Sequence, residues 1–174
     1  MQLSPKARLT RRAFLYFGGF SAQMAYDAGM ISKSVEETGK IAADFLTRLA
    51  PAAGGGATVV ALSGDLGSGK TTFAKAFAHA LGLSPDDVTS PTFVIEKRFD
   101  VGDHAHFRRF IHIDAYRLEK AEEIERLGWR ETIADPANLV LIEWPENIGA
   151  ALPASATKIS FRFVDENSRE ISFQ

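Results

Sequence analysis

The chain has 174 residues, no cysteine and a formal net charge of −2, with 45% hydrophobic and 24% charged residues. That is one domain's length with enough apolar material for a core. It excludes disulfides, thiolate zinc sites and cysteine nucleophiles, and offers no global attraction to nucleic acid or acidic lipid. No apolar run approaches the ~18 residues of a membrane span, and a cytoplasmic location is expected.

Residues 1–30 differ from the rest. Lys6, Arg8, Arg11 and Arg12 stand against Asp27, a net +3 that leaves −5 for the remainder. Thr10-Arg11-Arg12-Ala13-Phe14-Leu15 resembles a twin-arginine export signal. The apolar part, however, is broken by Gly18-Gly19, and no Ala-x-Ala site follows within the segment. The segment reads as an N-terminal extension or a mis-assigned start upstream of Met30, with a leader as the alternative. The domain proper is expected over residues 31–174.

Ser34-Val35-Glu36-Glu37 has the form of a capping box and opens a helix to about Leu49. Thr38, Ile41, Ala42, Phe45, Leu46 and Leu49 mark its apolar face. Pro51 and Gly54-Gly55-Gly56 end it. Thr58 to Leu62 is a β-branched apolar run, the pattern of a buried strand. Thr72 to Leu81 has helical spacing, and Gly82 supplies its stop.

Between that strand and helix lies Gly64-Asp65-Leu66-Gly67-Ser68-Gly69-Lys70-Thr71. It fits G-x-x-x-x-G-K-[ST], the phosphate-binding loop. A polyphosphate resting on backbone N–H groups leaves no room for Cβ atoms, hence the glycines. The new helix points its positive end at the anion. Lys70 has the reach for the β and γ phosphates, and the Thr71 hydroxyl suits Mg²⁺. Residues Asp65 to Thr72 are the expected nucleotide contacts. Guanine-reading N-K-x-D and D-x-x-G patterns are not in their places after the loop, so ATP is favoured.

Thr89-Ser90-Pro91-Thr92-Phe93 is a stiff, hydroxyl-rich segment. It reads either as a strand entry fixed by Pro91 or as a switch that senses the γ-phosphate. Phe93 to Phe99 and Arg109 to Ile113 predict a hairpin, so the sheet is expected to be mixed. Lys97, Arg98, Arg108 and Arg109 gather there, as a solvated face or a partner patch. His104, His106 and His112 are weak metal candidates.

Phe110 to Asp114 and Leu139 to Glu143 are apolar strands ending in carboxylates. Such ends lie at the edge where α/β sheets bind ligands. Asp114 and Glu143 are therefore candidates to hold Mg²⁺ and to orient an attacking water; sequence leaves open which does which. Glu119 to Leu127 predicts an acidic helix closed by Gly128. Trp129 suits the core or a contact surface, and Trp144, directly after Glu143, suits either a place over the nucleotide site or a core corner. Thr157 to Val164 and Arg169 to Phe173 predict a closing hairpin.

Four stretches in this order resemble the TsaE family, bacterial ATPases of tRNA threonylcarbamoyladenosine biosynthesis. They are Gly64 to Thr72, Thr89 to Phe93, His112-Ile113-Asp114-Ala115-Tyr116-Arg117-Leu118, and Ile142-Glu143-Trp144-Pro145-Glu146. The resemblance covers about residues 32–173. It implies an α/β P-loop fold with a mixed sheet flanked by helices, an antiparallel hairpin after the loop helix and a C-terminal hairpin. It further implies slow hydrolysis of ATP with Mg²⁺, stimulated by TsaD-like and TsaB-like partners. On the residues, it implies that the family's P-loop threonine falls on Thr71, its essential aspartate on Asp114, its Walker B-type glutamate on Glu143 and its switch on Thr89 to Phe93; from the loop chemistry itself, Lys70 is expected to neutralise the phosphates and Thr71 with Asp114 or Glu143 to hold the metal. Ala115 stands where a bulkier apolar residue is common. A small-molecule kinase and a nucleotide-gated binding module are the competing readings.

Overall fold

The computed structural model describes residues 29–84, 88, 91, 94–102 and 104–174. Among them, one sheet holds β1 (Met30–Ser32), β2 (Thr58–Ser63), β3 (Glu96–Asp100), β4 (Arg109–Asp114), β5 (Asn138–Glu143), β6 (Thr157–Phe163) and β7 (Arg169–Phe173). The order across the sheet is β1-β7-β6-β2-β5-β4-β3. Neighbours among β6, β2, β5 and β4 pair in parallel, whereas β3, β7 and β1 add antiparallel. The expected mixed α/β sheet is therefore present, with its parallel part at the centre. Around it lie α1 (Val35–Arg48), α2 (Lys70–Ala80), α3 (Ala121–Glu125) and α4 (Trp129–Ala134).

Side-chain alternation splits the core between the two faces of the sheet. On β5, Leu139 and Leu141 face α1 and α2, while Val140 and Ile142 face Trp129, Ile124 and Ile148. Burial on both faces explains why β2 and β5 read as continuous apolar runs rather than alternating ones. Phenylalanines fill the first face: Phe45 lies 6.0 Å from Phe77 and 5.3 Å from Phe173, and Phe73 lies 5.4 Å from Phe161, centroid to centroid. On the second face Trp129 is core, 2% exposed, with its Nε1–H donated to the Ala151 carbonyl at 2.8 Å.

Local signals largely hold, with instructive shifts. The Ser34 hydroxyl accepts the Glu37 N–H at 3.1 Å, as a capping box requires. The Glu37 carboxylate reaches back one residue further than the motif prescribes, to the Lys33 N–H at 2.7 Å. Helix α2 begins at Lys70, two residues earlier than expected, because Gly69 at φ +104 turns the loop straight into it. It ends in a Schellman motif: Leu83 N–H to Ala78 O and Gly82 N–H to His79 O, with Gly82 at φ +89. The acidic helix is shorter than expected, Ala121–Glu125, since the Leu127 and Gly128 N–H groups tighten onto Ile124 and Glu125.

Strand β3 starts at Glu96, not Phe93. The Val94 and Ile95 N–H groups both go to the Pro91 carbonyl, and Ile95 sits at φ +66. That breaks an extended run before it can begin. The twin-arginine stretch and Thr89, Ser90, Thr92 and Phe93 of the expected switch lie outside the described residues. The C-terminal hairpin forms, but as an inner part of the sheet: β6 lies directly beside β2 and β7 receives β1.

Candidate nucleotide site at the carboxyl edge of the sheet

The glycine loop leaves the end of β2 and lies over the sheet. Gly64 is required there by close approach: a Cβ would come 2.3 Å from the Phe161 carbonyl oxygen of β6. Gly69, at φ +104, is the N-cap of α2 and supplies no side chain to cap it. The first-turn N–H groups of α2 therefore face outward with no carbonyl four residues back. A cleft of about 580 Å³ opens over this turn. Leu66 to Thr72, Asp114, Glu143 and Trp144 are among the residues that line it.

Lys70 is folded back onto its own loop. Its ammonium donates to the carbonyls of Gly64 and, at 2.8 Å, Asp65, and lies 4.0 Å from the centroid of the Trp144 ring. Burial pushes it below its ordinary value, while Glu143, Glu146, Asp114 and Asp65 pull the other way. A phosphate entering the cleft competes with two carbonyls for this cation. Trp144 stands at φ +61, a left-handed conformation that is costly for a bulky side chain, and its ring meets Tyr116 at 5.1 Å.

Both carboxylate strand ends arrive at this loop. Register pairs Asp114 with Glu143, and Glu143 with Leu62 at the end of β2. Alternation then sets Phe110, His112 and Asp114 on the same face as Leu139, Leu141 and Glu143. Glu143, 1% exposed, accepts the Thr71 hydroxyl on Oε2 at 2.8 Å and meets His112 Nε2 on Oε1 at 2.9 Å. Asp114 accepts the Tyr116 N–H at 3.1 Å, which starts the 3-10 turn Ala115–Arg117. A hydroxyl and two carboxylates are hard oxygen donors. They suit Mg²⁺, which is commonly held by one or two carboxylates with water and phosphate completing the shell.

A family model described as threonylcarbamoyl adenosine biosynthesis protein TsaE matches residues 32–171. The chain belongs to the TsaE family. A Rickettsia bellii tRNA threonylcarbamoyladenosine biosynthesis protein TsaE is 34% identical over 139 residues, covering 80% of this chain and 89% of that one. The Bacillus subtilis protein of the same name is 39% identical over 115 residues, covering 66% and 68%. A crystal structure of Bacillus subtilis YdiB superposes with a TM-score of 0.62 at 31% identity, covering 83% of this chain and 82% of that one.

Within this TsaE-family domain, the predicted residues do not all take the same place. Leu66 to Thr72, Asp114 and Glu143 meet in the cleft. Asp65 contributes a carbonyl to Lys70, and its side chain is exposed; Ser68 is buried beneath the loop, its hydroxyl without a partner among the described residues. Of the switch segment only Pro91 is described, buried, with its carbonyl taking Val94 and Ile95. The three histidines do not assemble as a metal site, and among the described residues no cluster of three or more histidines and carboxylates does so. His104 stacks on Phe107 in the loop, while His112 lies buried under the cleft.

Contributors from two further stretches carry no site signal in the sequence. Ser34 and Thr38, at the start of α1, and Arg169, beside the β6–β7 turn, line the cleft. Their turn chemistry was legible, but which loop they approach depends on strand order. Sequence alone offers His112 as a metal candidate, not as a partner of Glu143. Its position two residues before Asp114, hence on the same strand face, was the available signal.

Proposed function

We propose that this chain is the ATP-binding and ATP-hydrolysing subunit of the machinery that makes tRNA threonylcarbamoyladenosine, acting with TsaD-like and TsaB-like proteins. One observation carries the ATPase part: the loop threonine, Thr71, is hydrogen-bonded to a buried carboxylate at the end of the neighbouring strand. A structural glycine turn needs no such partner; a loop that places a triphosphate and its metal does. Membership in the family supplies the pathway.

In this reading the backbone N–H groups of residues 67–71 hold the phosphates. Lys70 leaves the Gly64 and Asp65 carbonyls to neutralise the charge shared by the β and γ oxygens. Thr71 and Glu143 are the metal-side pair, because they already touch. Asp114, next to Glu143 in register, is left to orient the attacking water. When bound, Mg²⁺ supplies charge neutralisation on the transferring phosphoryl group.

The kinase alternative calls for basic residues closing over an acceptor. Of the basic residues in the stretch 83–138 that could supply such a lid, Lys97, Arg98, Arg108 and Arg109 do not line the cleft, although Lys33 and Arg169 do. Arg98 is bonded to Glu96 and Thr132, and Arg108 to the Gly102 and His104 carbonyls. Phosphate release by the purified chain, alone and with TsaD-like and TsaB-like proteins, tests the proposal. Slow turnover that rises with the partners is expected. Turnover that rises with a small metabolite and ignores the proteins contradicts it.

A further inference from the structure

We infer that His112 is a positioning residue, whose Nε2–H fixes the Glu143 carboxylate so that its other oxygen faces Thr71. The inference rests on the proposed function and names a residue that function does not use.

Glu143 stands on the last position of β5, and a glutamate side chain has several staggered rotamers among which its surroundings must choose. Two contacts remove that freedom. Oε2 accepts the Thr71 hydroxyl at 2.8 Å, and Oε1 lies 2.9 Å from His112 Nε2. The Thr71 hydroxyl is the contact a metal ion would replace, since both atoms then turn toward the ion. The His112 contact is the one left to hold the carboxylate when that happens. His112 itself cannot drift: it is fully buried, and its ring packs 6.2 Å from Phe110 at 29°.

The tautomer follows from the partners. His112 Nδ1 is buried with no hydrogen-bond partner among the described residues. A proton there would be a buried donor with nothing to accept it, and it would leave a bare lone pair on Nε2 facing a carboxylate oxygen. The proton therefore belongs on Nε2, assigned from the network. A histidine N–H holding a carboxylate beside a metal is an outer-shell contact, and losing one costs about 10- to 100-fold in metal affinity or activity.

A plain packing role is the competing explanation, and two substitutions separate it. His112→Phe keeps a planar ring in the core and removes the donor. His112→Gln loses the ring but places an amide N–H near where Nε2 stands. The readout is the gain in ADP affinity on adding Mg²⁺, measured by calorimetry, with thermal melting of the free protein alongside. His112→Phe is expected to lower the Mg²⁺ affinity of the ADP complex by about 10- to 100-fold, leaving ADP affinity without Mg²⁺ unchanged. His112→Gln is expected to retain most of the gain despite a lower melting temperature. A His112→Phe protein with the wild-type gain, or a folded His112→Gln protein as impaired as His112→Phe, overturns the inference. Should either variant not fold, ¹⁵N spectra of the wild-type ring decide: a protonated Nε2 with bare Nδ1 is expected, and the reverse overturns it. Wild-type protein whose ADP affinity ignores Mg²⁺ contradicts the proposed function instead, and is recognised before any variant is made.

Discussion

Glu143 shows how much of this site depends on single side chains. It is buried with one oxygen on Thr71 and the other on His112, so it has no solvent to fall back on. Glu143→Ala is expected to retain nucleotide binding and lose on the order of 100-fold in turnover, the usual cost of one preorganised contact to the transition state. Lys70→Ala is expected to abolish tight binding, because the cation that answers the phosphates is gone. Nucleotide titration and phosphate release separate the two; unchanged turnover in Glu143→Ala refutes its role. Ser68 is the opposite case, a buried hydroxyl with no partner among the described residues. Ser68→Ala removes that unmet demand and is expected to stabilise the fold by about 1–3 kcal/mol in urea unfolding. Lys70, Thr71, Asp114 and Glu143 were legible in the sequence because each sits in a local pattern, loop or strand end. The partnership of His112 with Glu143 was not, since the two are joined only by the register of β4 on β5.

At the scale of elements, capping chemistry was the most readable signal and extended runs the least. Ser34 and Gly82 announce helix ends through contacts within a few residues. Phe93 to Phe99 alternates like a strand, yet the Pro91 carbonyl captures two N–H groups and Ile95 turns left-handed. The Ile95 carbonyl in turn accepts the Asp114 N–H at 2.8 Å, which ties the chain two residues beyond the expected switch segment to a site residue. The loop after β3 carries a pH dependence. His104 Nδ1 accepts the N–H groups of His106 and Phe107 at 3.3 Å each, which needs a bare lone pair. Burial, and then neighbouring His106, hold His104 below its ordinary 6.5. The unfolded or opened loop therefore takes up the proton first as pH falls. The loop's stability is whole above 6.5 and declines as pH drops from there toward the lower folded value. Amide exchange at His106 and Phe107, corrected for intrinsic rates, is expected to quicken at about pH 5.5 relative to about pH 7.5. Equal protection at both contradicts the assignment.

The whole molecule is a sheet whose strand order brings distant stretches of the chain to one edge. No local pattern specifies that β6 lies beside β2, or that the β6–β7 turn reaches the glycine loop; those follow from which apolar faces can be buried together. The phenylalanine layer holds that arrangement. Phe77, fully buried, meets Phe45, Phe73 and Phe110 within about 6 Å of each centroid, so Phe77→Ala is expected to cost about 3–5 kcal/mol, a large share of a domain's total. Urea unfolding checks it; a loss below about 1 kcal/mol would mean the layer is loosely packed. No helix among the described residues is long and apolar enough to cross a membrane. The proposed chemistry needs Glu143 on Thr71, with Asp114 beside them, around a metal-bound nucleotide. A crystal structure with an ATP analogue and Mn²⁺, read by the anomalous signal of the metal, tests this most directly. A single peak bonded to Thr71 Oγ1 and to Glu143, directly or through one water, is expected, with phosphates on the loop. A peak remote from Thr71, or phosphates away from residues 67–71, would contradict it.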